Sequence, residues 1–226
     1  MIAALAMAAA LLAYNTLLNR SRLASGPLYV PINLGTALLA VLVGGWAGLD
    51  AQALGLGRPD EPALTIGLVL AAVMAVTVGP LLPGTRPLYW DRRVADLDGR
   101  EVAYQAAIRV PLGTALAEEV LFRGVLLGLF LAVWDPWPAI LASSVAFGLW
   151  HVEPSREALR INRVGEAARY VALAVGATSA AGVGLCGLRL LTDAIWAPFL
   201  LHVAVNSGGL VAAFLVQRAQ TSSSPH

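Results

Sequence analysis

The sequence contains no lysine, one cysteine (Cys186) and few charges of either sign, with 13% of residues charged against 58% hydrophobic. Each scarcity excludes something. A single cysteine rules out an intrachain disulfide and a cysteine metal cluster, and its apolar surroundings mark it as an inert small hydrophobe. A formal net charge of +1 provides no basic surface for nucleic acid and no pull on an acidic partner. A mean hydropathy of +0.72 with so little charge is foreign to a soluble domain. What remains is an all-α, polytopic membrane helix bundle with lipid as its surroundings. There is no internal repeat, no Gly-rich phosphate loop and no low-complexity segment apart from a Ser-rich end.

The apolar runs predict about seven spans. Met1 to about Leu18 lacks a basic leader and reads as a first spanning helix rather than a cleaved signal. Tyr29–Leu49 and Pro62–Leu82 are the second and third, the latter ended by Pro80, Pro83 and Gly84. Leu88–Glu101 alternates Trp90, Val94 and Leu97 with charged residues, the pattern of a cytoplasmic interfacial helix or of a polar loop. Tyr104–Val133 is the fourth span, long enough to tilt or kink at Pro111 and Gly113. After a Trp134–Pro138 turn come a short fifth span, Ala139–His151, and a polar stretch, Glu153–Arg169. A Gly- and Ala-rich sixth span, Tyr170–Leu191, has the composition that packs helices closely in lipid. Ala194–Val216 is the seventh. The chain thus divides into 1–103, a core at 104–216 and a disordered tail at 217–226.

Arginine placement predicts orientation. Eleven fall in one set of loops (Arg20, Arg22, Arg86, Arg92, Arg93, Arg100, Arg156, Arg160, Arg163, Arg169 and Arg218). Two, Arg58 and Arg189, fall in the other, and Arg109 and Arg123 lie within the fourth span. The arginine-rich side is expected to be cytoplasmic, with the N-terminus outside and the C-terminus inside.

Against this apolar background, Glu118, Glu119 and Arg123 stand inside the fourth span. A charge at mid-bilayer costs roughly 3 kcal/mol, so such groups face a protein interior or a wet cavity and suggest function. Glu119 and Arg123 are four apart and can pair. His151 ends the fifth span, and His202 and Asn206 lie one turn apart in the seventh. Asn15 and Asn33, nearer span ends, read as bland, and Phe147 and Trp150 as cavity wall and core. By helical rise, Glu118, His151, His202 and Asn206 reach comparable depths and could line one cavity. That set permits amide hydrolysis. A poorly solvated carboxylate serves as general base, an imidazole holds the water and passes on its proton, and an imidazole with a carboxamide binds the oxyanion.

Three motifs then stand in order on separate apolar segments: Glu118-Glu119-Val120-Leu121-Phe122-Arg123 (EExxxR), Phe147-Gly148-Leu149-Trp150-His151 (FxxxH) and His202-Val203-Ala204-Val205-Asn206 (HxxxN). Together they resemble the CPBP intramembrane proteases, the group that includes the type II CaaX prenyl endopeptidases, over about Pro111 to Val216. The resemblance implies a glutamic intramembrane endopeptidase that needs no cofactor or metal. It implies that Glu118 and His151 activate water, that His202 and Asn206 form the oxyanion hole, and that Glu119 and Arg123 are a structural ion pair beside the site. The expected substrate is a peptide or membrane-anchored protein, with nothing in the sequence requiring a prenyl group.

Two alternatives stay open. Two histidines and a glutamate are an allowed zinc ligand set, although no HExxH spacing is present. The polar groups could instead specify helix packing in a non-catalytic immunity or scaffold protein.

Overall fold

In a computed structural model the described residues are 1–82, 84–162 and 165–222, and they are helical with no strand. The helices are α1 (Ile2–Asn19), α2 (Tyr29–Trp46), α3 (Pro62–Val78), α4 (a continuous helical stretch, 99–131), α5 (Pro136–Trp150), α6 (Val152–Asn162), α7 (Ala167–Thr192) and α8 (Trp196–Ser222). Five segments are long and apolar enough to cross a membrane: Ile2–Asn19, Tyr29–Trp46, Pro62–Leu81, Ala167–Thr192 and Trp196–Gln220. The protein is an integral membrane protein. The two other expected spans exist as helices of a different kind. α4 carries the charges at its middle, and α5 has only 15 residues.

α4 is the axis of the bundle. Its first part is wound as a π-helix over Gln105–Leu116, and a second π segment follows at Glu119–Leu126. Pro111 lies inside the first, and because proline has no N–H to donate, the ordinary i→i−4 ladder fails there. The wider winding includes Pro111 and Gly113, where the sequence predicted a tilt or kink, and π segments of this kind recur at functional sites. From Leu121 to Phe130 every residue is buried, as expected of a helix enclosed on all sides. Gly113 lets α2 approach: a Cβ there would come within 3.0 Å of Tyr29 and Val30.

α5 and α7 pack through small residues, with a Cβ on Gly182 meeting Ser144 at 3.1 Å. Buried Cys186 lies beside it, 3.8 Å from the Ser144 hydroxyl. This is the close packing that the Gly/Ala-rich span predicted. α3 packs chiefly on α8 and is otherwise exposed to the surroundings.

The two sets of loops gather at opposite ends. At one end, Arg20 pairs with Glu153 at 2.8 Å and the Arg92 amide donates to Asn162 Oδ1 at 2.8 Å. Asp91 joins this end to α6. Burial alone would raise its pKa, but hydrogen bonds from Arg93 and Asn162 overcome that and hold the carboxyl below the usual range. At the other end, the Asp60 amide donates to Thr192 O and the Ile195 amide to Gly55 O. Arg189 is not in a loop, as the sequence suggested, but buried in the last turn of α7, where it pairs with Asp193 and donates to the carbonyls of Gln52 and Ala53.

Other expectations are corrected. Leu88–Glu101 is not one surface helix. It breaks into turns at Arg86–Tyr89 and Arg92–Ala95 before α4 begins, because the Asp91 and Asp98 side chains each cap a new helical start. The polar stretch after His151 is instead a helix, α6, with Ser155 and Ala158 buried. α8 continues past Val216 to Ser222, so the expected tail is helical at its beginning. Residues 223–226, Pro83 and Arg163 lie outside the described residues.

Candidate active site

Glu118 and Glu119 leave neighbouring positions of α4 and take different partners. Glu118 Oε1 accepts a hydrogen bond from the indole Nε1 of Trp150 at 3.0 Å, while its Oε2 is buried without a partner. Glu119, fully buried, uses one oxygen twice. Oε1 receives Arg123 Nη1 at 3.2 Å and His202 Nδ1 at 2.7 Å. The Glu119–Arg123 pair expected from the spacing is therefore present. Glu119 also orients a histidine, a task the spacing did not reveal.

His202 reaches across from α8 to both carboxylates. With Nδ1 committed to Glu119, its other edge faces Glu118, Nε2 lying 3.9 Å from Oε2. His151 caps the C-terminal end of α5 and places Nδ1 2.7 Å from Phe147 O. A carbonyl can only accept, so Nδ1 carries the proton and a neutral imidazole keeps its Nε2 lone pair free. Among the described residues no hydrogen bond joins His151 directly to Glu118. Phe147 joins His151 to the other site residues: its ring lies 4.6 Å from His151, 6.3 Å from His202 and under the Arg123 guanidinium at 4.0 Å. Desolvated, that cation–π contact is worth about 2 kcal/mol. It gives the buried guanidinium, whose Nε and Nη2 have no hydrogen-bond partner, a second source of stabilisation.

Asn206 is the residue the structure leaves outside this cluster. It is exposed on α8 and its side chain makes no hydrogen bond among the described residues, although its neighbour Ser207 anchors α8 to α4 through Ala106 O at 2.8 Å. Among the described residues no group of three or more His, Cys, Asp and Glu is disposed to hold a metal ion. An apolar groove of about 730 Å³ runs between α3 and α8, lined by Val73, Val76, Val211 and Leu215. None of the site residues lines it.

Residues 101–208 match the family model described as type II CAAX prenyl endopeptidase, Rce1-like. This segment, just under half of the chain, is similar to the CAAX protease family. No curated protein and no solved structure matches the chain. That match implies protease activity, and the matched segment spans α4 to the middle of α8, the elements that carry all six predicted site residues. In the matched segment, Phe147 and Trp150 are more than the wall and core expected of them. A buried indole N–H needs an acceptor, and that requirement was the available signal for Trp150. Asn15 is likewise not bland. It is buried in α1 and its Nδ2 donates to Trp150 O at 2.6 Å.

Proposed function

We propose that the protein is an intramembrane endopeptidase in which Glu118 and His151 activate water against a peptide bond, while His202 and Asn206 receive the oxyanion. The observation that carries this reading is the state of Glu118: one oxygen is held by an indole, the other is buried, unpartnered and faced by the Nε2 edge of His202. A carboxylate so held has an oxygen free to take a proton from water. The hydroxide formed attacks the scissile carbonyl, the developing oxyanion takes hydrogen bonds from the α8 donors, and the proton passes to the leaving amine through Glu118 or His151. Glu119 and Arg123 serve as the buried support that aims His202. The substrate class is a peptide or protein held at the membrane, and the family description adds a prenylated C-terminus as the first candidate.

The test uses purified protein in detergent with two quenched fluorogenic peptides, one ending in a farnesylated Cys-aliphatic-aliphatic-X sequence and one without the prenyl group. Glu118→Gln should lower turnover by about 10² to 10⁴, the usual contribution of general acid–base catalysis. Turnover should survive strong chelation. Inhibition that added zinc reverses would overturn the glutamate mechanism in favour of a metal-bound water.

A further inference from the structure

Glu118 has one hydrogen-bond partner among the described residues, and it is not a residue of the EExxxR, FxxxH or HxxxN positions. Trp150 Nε1 donates to Glu118 Oε1 at 3.0 Å, and both groups are buried. The indole is clamped in turn. Phe122 meets it edge-on at 5.3 Å and Tyr14 packs on it at 6.1 Å. Trp150 is also the last residue of α5, so its carbonyl is one of those a helix end leaves without an intrahelical partner. Asn15 supplies that partner from α1, donating Nδ2 at 2.6 Å. Asn15 is itself fixed, since Asn19 donates to its side-chain oxygen at 2.8 Å. A chain of polar contacts thus runs from the first helix, outside the matched family segment, to the carboxylate on α4.

We propose that Trp150 is the positioning residue that aims Glu118, and that the first helix holds it there through Asn15. This rests on Glu118 being the base. A carboxylate on a helix has several rotamers, and the one observed presents its free oxygen to His202 and so to the water it would deprotonate. A single donor on the other oxygen selects that rotamer. Phe122 and Tyr14 keep the indole from swinging away, and the Asn15 contact prevents the end of α5 from fraying. Misplacement of a reacting group by about 1 Å can cost on the order of 10²-fold in rate, so the donor matters more to turnover than to folding.

The decisive variant keeps the shape of Trp150 and removes only its N–H, by site-specific incorporation of the benzothienyl analogue of tryptophan in the full chain. Trp150→Phe and Asn15→Leu accompany it. Each is measured for kcat and KM on the farnesylated fluorogenic peptide, for Tm in detergent, and, in ¹⁵N-labelled protein, for the indole N–H resonance of Trp150, assigned by its loss in Trp150→Phe. The benzothienyl protein should lose about 10- to 100-fold in kcat with KM and Tm unchanged. Asn15→Leu should lose less, and the Trp150 indole resonance should shift in Asn15→Leu and in Glu118→Ala. Undiminished kcat in the benzothienyl protein, or an indole resonance that ignores Glu118→Ala, overturns the proposal. Full turnover in Glu118→Gln is a separate result: it removes Glu118 as base, while the indole resonance still reports whether the contact exists.

Discussion

His202 Nδ1 lies 2.7 Å from Glu119 Oε1, the same oxygen that receives Arg123. One carboxylate oxygen therefore ties α8 to α4 and neutralises a guanidinium at membrane depth. The adjacent Glu118 is left out of that pairing, which is what allows two neighbouring glutamates to do different work.

Replacing Glu119 by Gln should act first on stability. The amide oxygen can still accept from His202, but Arg123, wholly buried, loses its counter-charge, and removing one partner of a buried pair destabilises by about 3–5 kcal/mol. A thermal unfolding scan in detergent should show a lowered Tm, with turnover falling in proportion to folded protein. A well-folded Glu119→Gln that has lost turnover, beside a Glu118→Gln that keeps it, would exchange the roles assigned to the two carboxylates.

Asn206→Ala should leave the melting curve in place, because the side chain is exposed and joined to no described residue. Its expected cost is in rate, about 10² to 10³ through loss of an oxyanion donor. A variant as active as the parent would leave that role to His202.

Gly55 has φ +67°, and a Cβ there would collide with the Arg189 guanidinium. Gly55→Ala should therefore strain the backbone and dislodge the arginine that holds Gln52 and Ala53, costing about 1–3 kcal/mol. Turnover per folded molecule should stay at the parent level, since Gly55 bonds to Gln52 and Ile195 and lies against Arg189, none of them a site residue. Equal melting of variant and parent would show that the Arg189 lock contributes nothing to stability.

Orientation is open to a direct assay. With the arginine-rich loops at one end, the positive-inside rule predicts that this end faces the cytoplasm. A reporter active only outside the cytoplasm, fused after α8, should give no signal. A strong signal would put the opposite end of the bundle inside.

Much of this protein was legible from local sequence. Length and hydropathy of the apolar runs are enough to require membrane helices, because backbone groups in lipid must bond within their own segment. The four-residue spacing of Glu119 and Arg123 puts them on one face, and the pair forms. The order EExxxR, FxxxH, HxxxN located the candidate residues and the family segment. The sequence could not determine which face of each helix meets which neighbour. Glu119 finds His202 83 positions away and Asn15 finds Trp150 135 positions away, contacts set by the rotation and packing of whole helices rather than by any local period. The π winding of α4 likewise changes which side chains share a face, so regular helical spacing could not place Glu118 against the Trp150 indole. Local chemistry determined that charges inside the membrane must find partners, and tertiary packing decided which partners they found.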